Sequence, residues 1–254
     1  MNWVLDLDGV VWLADDAIPG AARAVNQLQE RGDTVVFVTN NSSMTEADVE
    51  AKLSRHRIAG LGAVVSSAMA AAELVEKGER VLVCGGPGVV EALEGRGAVA
   101  VSNDDELDGS VDAVMVGFHR NFDYERMRRA ADAVHKGARL IATNDDATYP
   151  TPIGPIPGAG SILAGIQRAS GVSAVVAGKP YVPMADLLRR RLGESGTVVG
   201  DRPDTDGRLA RVIGYRFALV LTGVTGRDDV ATVEPRPDTI ARDLGALVDA
   251  YLHR

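Results

Sequence analysis

Two aspartates one residue apart, Asp6 and Asp8, directly follow the short apolar run Trp3-Val4-Leu5. The side chains of a strand alternate, and open α/β sheets bind ligands at the carboxyl ends of their strands, so we expect both carboxylates in one crevice. Such a pair could supply a nucleophile and an acid/base catalyst. The alternative is a turn that only closes the strand, because Asp is common in turns.

Three further polar stretches follow predicted strands. They are Thr39-Asn40-Asn41-Ser42, Gly178-Lys179-Pro180 and residues 200–206, which include Asp201, Asp204 and Asp206. In a parallel sheet all four stretches would converge on one edge, where they would assemble carboxylates, a hydroxyl, backbone N–H groups and one ammonium. This set of groups suits a phosphate ester together with a hard divalent cation.

Charge suggests a role for each group. A phosphomonoester dianion repels a carboxylate, so attack by Asp6 needs Lys179 and a metal ion to neutralise the phosphate. Magnesium prefers oxygen ligands, which Asp6, Asp201 and the backbone carbonyl of Asp8 could provide. Asp8 is the candidate that protonates the leaving alkoxide and later activates water against an aspartyl-phosphate.

Each of these residues also has a purely structural interpretation. Thr39 and the N–H of Asn40 lie where a strand meets a helix N-terminus, which favours anions, but the same segment could simply cap that helix. Lys179 could be a surface lysine before a turn-forming proline. The aspartates of residues 201–206 could belong to a capped turn, to which we assign Asp204.

The composition indicates a globular protein. The chain has 254 residues, of which 46% are hydrophobic and 24% charged, and a net charge of -8. The negative charge argues against a general nucleic-acid binder. The N-terminal segment lacks signal-peptide character and no apolar run reaches transmembrane length, so we expect a cytoplasmic protein without a membrane partner. The single cysteine, Cys84, is interpreted as a small buried hydrophobic residue.

Strand-like and helical patterns alternate along the chain, which predicts a mainly parallel sheet with helices on its faces. The predicted strands are residues 3–7, 34–39, 64–67, 81–84, 111–118, 139–143, 173–177, 197–200 and 217–221. The predicted helices are residues 21–31, 46–55, 68–77, 124–136, 159–169, 184–192, 205–211 and 240–252. Weak strands over 85–112 and a long proline-punctuated loop over 144–158 predict a smaller segment inserted into the sheet domain.

Taken together, the motifs resemble those of the haloacid dehalogenase superfamily, in its NagD-like or p-nitrophenylphosphatase-like branch. They are, in order, Asp6-x-Asp8-Gly9-Val10, Phe37-Val38-Thr39-Asn40-Asn41-Ser42-Ser43, Gly178-Lys179-Pro180 and Gly200-Asp201-Arg202-x-x-Thr205-Asp206. The resemblance covers nearly the whole chain. It implies an α/β fold with a Rossmann-like, three-layer core over residues 1–81 and 174–254, and an inserted α/β cap of the C2 type over residues 82–173.

The resemblance also implies roles for individual residues. They are Asp6 as nucleophile and metal ligand, Asp8 as acid/base and backbone metal ligand, Thr39, Asn40 and Lys179 as phosphate-binding residues, Asp201 as a Mg²⁺ ligand and Asp206 as support of the metal site. In the cap, which would close over the core, Asn144 and Asp145 are the candidate specificity residues. Relatives often carry proline or a small residue where Asp145 stands, and an extra carboxylate there would disfavour acidic leaving groups.

The expected function is Mg²⁺-dependent hydrolysis of small phosphomonoesters through an aspartyl-phosphate, with a neutral polyol phosphate such as glycerol phosphate as substrate and p-nitrophenyl phosphate as artificial substrate. Phosphoglycolate, pyridoxal phosphate, nucleotide and sugar phosphates remain alternatives. A C–halogen hydrolase of the same superfamily is disfavoured because that chemistry has no alkoxide for Asp8 to protonate. A remoter alternative is a non-catalytic protein that binds a phosphorylated ligand. Relatives of this branch commonly pair through the cap, so a homodimer is also expected.

Overall fold

The computed structural model describes residues 1–149, 151 and 154–253. Pro150, Pro152 and Ile153 of the predicted long loop, and Arg254, lie outside the described residues. The chain divides into two compact units. The first consists of Met1–Thr39, Ala47–Val65 and Lys179–Arg254, and the second of Asn40–Glu46 and Ser66–Gly178.

Strands and helices alternate along the described chain. The strands are β1 (Asn2–Asp6), β2 (Trp12–Leu13), β3 (Asp16–Ala17), β4 (Thr34–Thr39), β5 (Val64–Ser66), β6 (Arg80–Cys84), β7 (Val99–Val101), β8 (Ala113–Val116), β9 (Arg139–Ala142), β10 (Thr148–Tyr149), β11 (Ile156–Pro157), β12 (Val175–Val176), β13 (Thr197–Gly200), β14 (Arg216–Val220) and β15 (Thr239–Ala241). The helices are α1 (Ala21–Glu30), α2 (Glu46–Arg55), α3 (Ser67–Ala72), α4 (Pro87–Arg96), α5 (Tyr124–His135), α6 (Ala159–Ser170), α7 (Val182–Leu192), α8 (Arg208–Ile213) and α9 (Leu244–Leu252). A π-helical turn spans Pro203–Gly207 and a 3₁₀ turn spans Arg227–Asp229.

The first unit is built on a six-stranded sheet in the order β15-β14-β13-β1-β4-β5. Strand β1 runs parallel to both of its neighbours, β4 and β13. From β1 the chain continues to β4 and β5 on one side, whereas β13, β14 and β15 extend the sheet on the other. The boundary between β1 and β13 is therefore the point where the strand order reverses, and at such points open α/β sheets form their ligand-binding crevice.

Helices cover both faces of this sheet. Trp3 and Asn2 are successive residues of β1, so their side chains point to opposite faces. The Trp3 ring lies 5.0 Å from the Tyr251 ring of α9, whereas the Asn2 side chain donates a hydrogen bond to the carbonyl of Leu192, the last residue of α7. Helix α9 packs with α1, and α7 packs with α8. The predicted three-layer α/β architecture with a mainly parallel sheet is confirmed.

Amphipathic spacing explains why α1 forms and which side it buries. Its buried residues are Ala21, Ala24, Val25 and Leu28. These positions recur at intervals of three and four residues, which places them on one face of a helix. Across the described residues, every helix falls short of the length and apolar character that a membrane crossing requires.

The second unit has a sheet of its own, in the order β12-β9-β8-β6-β7, with parallel pairing throughout. Alternate residues of its central strands pack against α5 and α6 in one apolar cluster, formed by Leu82, Cys84, Val114, Val116, Leu140, Ala142, Ala130, Ala133, Val134, Ile162, Leu163 and Ile166, among others. Cys84 is a free, fully buried thiol in this core. Burial raises the pKa of its thiol to about 12, which keeps the sulfur uncharged.

The predicted strand over residues 173–177 belongs to the second sheet. Its observed part, β12, pairs with β9, so that Val175 lies opposite Ile141. The expectation that all four motifs follow strands of one sheet is therefore wrong, because Gly178-Lys179-Pro180 follows a strand of the second unit. The second unit accordingly ends at Gly178 and includes Ser66 and β6, whereas the predicted cap covers residues 82–173.

Helix α4 is absent from the predicted elements, because its glycines and Pro87 suggest a turn. Proline is favoured at the first position of a helix, where its missing N–H costs no hydrogen bond. Gly88, in the first turn of α4, packs directly on the backbone of residues 42–44, and a Cβ added at Gly88 would lie 2.1 Å from the carbonyl oxygen of Met44. The glycine is therefore required by a close approach of two backbones.

The two glycines inside α4 make a matched pair of substitutions. We expect Gly88→Ala to lower the free energy of unfolding by about 2–4 kcal/mol, because backbone atoms must move apart. Gly95→Ala, where a Cβ meets nothing within 4 Å, should raise it by about 0.5–1 kcal/mol. Urea denaturation of both variants tests the difference, and equal stabilities would contradict the packing described.

Candidate active site

A buried ammonium joins two carboxylates in the first unit. Lys179 Nζ lies 2.7 Å from Oδ1 of Asp6, the last residue of β1, and 2.7 Å from Oδ1 of Asp206. The exposed fraction is 4% for Lys179 and 0% for Asp206. The backbone N–H of Leu7 donates a second hydrogen bond to the same oxygen of Asp6. These bonds fix the orientation of the Asp6 carboxylate at the carboxyl end of the central strand.

Asp201 follows β13 immediately, on the other side of the point where the strand order reverses. Its Oδ2 accepts a hydrogen bond of 2.6 Å from the backbone N–H of Val224, and its Oδ1 is buried without a partner among the described residues. Two glycines make room for this carboxylate. A Cβ at Gly9, which has a φ of +87°, would lie 2.6 Å from Asp201 Oδ2, and one at Gly223 would lie 2.0 Å from it.

Three carboxylates form a compact acidic cluster. Asp6, Asp201 and Asp206 each place one oxygen within 4.8 Å of the others. Burial raises the pKa of Asp201 to about 6, and repulsion by Asp206 adds to the effect. Burial likewise raises the pKa of Asp6 well above its ordinary value, against the attraction of Lys179. The one ammonium leaves the cluster with excess negative charge, so these oxygens fit a hard divalent cation.

Asp206 and Asp204 sit in the π-helical turn that follows β13 but differ in their surroundings. Asp206 uses its second oxygen, Oδ2, to accept a hydrogen bond from the backbone N–H of Arg202. Although burial alone would lower the pKa of Lys179, Asp206 and Asp6 together raise it and keep the ammonium charged. Asp204 is exposed and pairs with the Arg202 guanidinium, in keeping with its assignment to the turn.

Asp8 has the environment of an acid. Its Oδ1 accepts a hydrogen bond of 3.1 Å from the indole N–H of Trp12. Burial raises the pKa of its carboxyl, whereas the Lys52 ammonium and the Trp12 hydrogen bond oppose the rise. A carboxylic acid with a raised pKa retains its proton closer to neutral pH, which a general acid requires.

The second motif is divided between the two units. Thr39 ends β4 in the first unit and is buried, and the preceding residue, Val38, lies opposite Asp6 in the sheet. Asn40 belongs to the second unit. There its carbonyl accepts hydrogen bonds from the Ser67 hydroxyl and the Asn144 amide, at 2.8 and 2.7 Å.

The two candidate specificity residues have different environments within the second unit. Asn144 is buried, and besides its bond to Asn40 it accepts a hydrogen bond from the backbone N–H of Asp146. Asp145 is exposed. Asp146, which the sequence analysis did not single out, accepts a hydrogen bond of 3.0 Å from the Asn40 side chain. The structure thus shows Asn144 and Asp146 as residues that hold Asn40.

Lys52 is a second residue that the sequence analysis missed. It lies on the buried face of α2 together with Val49 and Leu53. A lysine at an apolar position of an amphipathic helix is unusual, because lysine is almost never fully buried without partners. This break in the hydrophobic pattern is the signal that could have identified it.

Comparison with known proteins places the chain in a family. Residues 3–99 match a family described as haloacid dehalogenase-like hydrolase, and residues 176–247 match one described as HAD-hydrolase-like. The D-glycerol 3-phosphate phosphatase of Mycobacterium tuberculosis is 36% identical over 96% of this chain and 70% of its own length. The acid sugar phosphatase of Staphylococcus haemolyticus is 34% identical over 97% of this chain and 95% of its own.

Solved structures agree with the sequence comparisons. The p-nitrophenyl phosphatase of Archaeoglobus fulgidus superposes with a TM-score of 0.90 at 30% identity and covers 98% of both chains. A structure of the M. tuberculosis glycerol phosphate phosphatase in complex with magnesium gives a TM-score of 0.89 at 33% identity, over 97% of this chain and 75% of that one. The resemblance stated from the motifs is confirmed: the chain belongs to the haloacid dehalogenase-like hydrolases, in the branch whose named members are phosphatases.

Proposed function

We propose that this protein hydrolyses small phosphomonoesters, with Asp6 as the nucleophile. The observation that carries the proposal is the Asp6 carboxylate at the end of β1, held by a buried Lys179 within a cluster of three carboxylates. A strongly perturbed, buried charge cluster at a ligand-binding crevice is typical of a catalytic site. The relatives named above are phosphatases by name, which supports the same reaction.

In the first half of the reaction, an Asp6 oxygen attacks phosphorus and the bond from phosphorus to the ester oxygen breaks. The Lys179 ammonium offsets the charge repulsion between the carboxylate and the phosphate. The leaving alkoxide is a strong base, so it departs with a proton donated by the Asp8 carboxyl. The products are an alcohol, an ionised Asp8 and a phosphoryl group on Asp6.

In the second half, the ionised Asp8 removes a proton from a water molecule as that water attacks phosphorus. The bond between phosphorus and the Asp6 oxygen breaks, which releases inorganic phosphate. Asp6 regains its carboxylate and Asp8 its proton, so the enzyme returns to its starting state. Thr39, the backbone N–H of Asn40 and Lys179 are the proposed phosphate-binding groups.

Magnesium is the proposed cation of the acidic cluster. The unpartnered Oδ1 of Asp201 and the excess of carboxylates over ammonium groups support it. Asp6, Asp201 and the backbone carbonyl of Asp8 would hold the ion, with Asp206 as support. When bound, it supplies positive charge that neutralises the phosphate. A relative crystallised with magnesium, and also with calcium, supports a hard divalent cation at this position.

The proposed substrate is a neutral polyol phosphate of the glycerol phosphate kind. The name of the M. tuberculosis relative supports this class, and that of the staphylococcal relative supports sugar phosphates as the runner-up. Asp145 supports a preference for uncharged leaving groups, because its exposed carboxylate would repel an acidic one. Asn144 and Asp145 remain the predicted specificity residues of the second unit.

Removal of the nucleophile tests the reaction. We expect Asp6→Asn to lower phosphate release from p-nitrophenyl phosphate in Mg²⁺ by at least about 1000-fold, because an amide oxygen is a poor nucleophile. Asp204→Asn changes an exposed carboxylate of the turn that follows β13 and should alter the rate by less than about 2-fold. Full turnover by the Asp6→Asn variant would refute the mechanism.

The buried charge of Asp201 links metal binding to stability. Its pKa in the folded protein lies above the ordinary 3.8. The folded state is therefore favoured while this carboxyl is protonated, and that contribution to the free energy of unfolding is lost as pH rises from about 4 to about 6. In the metal-free protein at pH 7.5 we therefore expect Asp201→Asn to raise the free energy of unfolding by about 1–3 kcal/mol.

The same variant should lose the stabilisation that added Mg²⁺ gives the wild-type protein. Thermal unfolding of both proteins, with Mg²⁺ and with a chelator, measures the two effects together. A variant that is destabilised in the chelator, or that still gains stability from Mg²⁺, would contradict the proposed metal site.

A panel of phosphate esters tests the substrate class. We expect glycerol 3-phosphate to give a higher kcat/KM than phosphoglycolate, whose leaving group carries a carboxylate. Asp145→Asn should raise kcat/KM for phosphoglycolate by about 5-fold, since the repulsion of two exposed charges is worth about 1 kcal/mol. Asp105→Asn, at another exposed carboxylate of the second unit, serves as the control. If both variants behave alike, Asp145 does not select substrates.

A further inference from the structure

A short hairpin follows the catalytic strand in the first unit. Strands β2 and β3 pair antiparallel, with Trp12 opposite Ala17 and Leu13 opposite Asp16. The hairpin turn is unusual because Ala14 adopts a left-handed conformation with a φ of +50°. A residue with a Cβ is strained in that conformation, so contacts outside the turn must hold it.

Lys52 of α2 supplies those contacts. Its ammonium donates a hydrogen bond to the carbonyl of Ala14 and lies 3.6 Å from Oδ1 of Asp15, the second residue of the turn. The residue is 8% exposed. Burial of a lysine is unfavourable unless its charge finds partners, and here the partners belong to the hairpin.

The same ammonium reaches the side chain of Trp12. Lys52 Nζ lies 4.3 Å from the centroid of the Trp12 ring, within the range of a cation–π interaction. The indole N–H of Trp12 in turn donates its hydrogen bond to Oδ1 of Asp8. A chain of direct contacts therefore runs from Lys52 through the indole to the proposed acid.

We propose that Lys52 is a positioning residue for Asp8: it fixes the hairpin turn and the Trp12 indole, and the indole N–H holds the Asp8 carboxyl in the orientation that protonates the leaving group. The inference rests on the proposed function. The hydrogen bond uses one carboxyl oxygen of Asp8, which leaves the other to carry the proton. Fixed orientation matters because proton transfer in the transition state requires a short, aligned hydrogen bond.

The dependence of the rate on the leaving group distinguishes this role from a structural one. An alkoxide leaving group needs a proton, whereas 2,4-dinitrophenolate is a weak base and leaves without one. The ratio kcat/KM includes only steps up to the first irreversible one, so it reports transfer to Asp6 and not the later hydrolysis. A merely destabilised enzyme would lose activity towards both esters equally.

We therefore expect Lys52→Met to lower kcat/KM for glycerol 3-phosphate by about 10–100-fold, and for 2,4-dinitrophenyl phosphate by less than about 3-fold. Trp12→Phe, which removes the donor but keeps an aromatic ring, should show the same selectivity, and Lys52→Arg should restore most of the activity. Lys136→Met changes an exposed lysine and serves as the control. Equal losses on the two esters in Lys52→Met or Trp12→Phe would overturn the inference.

A measurement without turnover gives a second readout. The chain has two tryptophans, Trp3 and Trp12, so the indole N–H signals in an NMR spectrum can be assigned with Trp12→Phe. We expect Lys52→Met to shift the Trp12 signal and leave the Trp3 signal in place, and an unchanged Trp12 signal would overturn the inference. A wild-type enzyme inactive on both esters would overturn the proposed function as well, whereas a failure confined to the variants leaves that function intact.

Discussion

The Lys179 ammonium between Asp6 and Asp206 is the interaction on which the rest of the site depends. It ties the end of β1 to the turn that follows β13, on the two sides of the point where the strand order reverses. Without a cation there, buried carboxylates would face one another at the same edge of the sheet, and burial of like charges is costly. With it, the Asp6 carboxylate is held in one orientation, and the attraction of Lys179 opposes the rise in its pKa that burial causes.

The arrangement is electrostatically incomplete, and the proposed function accounts for this. One ammonium cannot balance three carboxylates, and Asp201 keeps an oxygen without a partner among the described residues. Selection for stability alone would replace such a group, because an unpaired buried charge destabilises the protein. In the proposed function, a site that captures a cation has to keep negative charges that the cation will compensate. Unfavourable electrostatics of this kind are expected at functional sites, where the residues are not chosen for stability alone.

The core architecture and the main charged residues could be predicted from the sequence, because each leaves a local signal. The predicted strands 34–39 and 197–200 match β4 and β13, since continuous apolar runs bounded by polar residues indicate buried parallel strands. Asp6, Lys179 and Asp201 stand in short motifs whose residue types are hard to explain separately.

Features that depend on distant partners could not be predicted. The sheet to which β12 belongs is decided by its pairing with β9, which the residues of β12 do not encode. Helix α4 looks like a turn because of Pro87 and its two glycines, and one of them, Gly88, is required by a backbone contact with Met44 that only the fold creates. The hydrogen bonds from Asn144 and Ser67 to the Asn40 carbonyl join segments far apart in the chain. No single segment carries a sequence signal that predicts them.

The places where the chain passes between the two units have a consequence for how such a protein can diversify. Thr39 is the last residue of the first unit before one passage, and Lys179 is the first residue after another, three residues past the end of β12. The segment from Ser66 to Gly178 contains a complete sheet with its own apolar core. Recombination could therefore replace that segment as a module and leave the charge cluster untouched, because Lys179 lies just outside it.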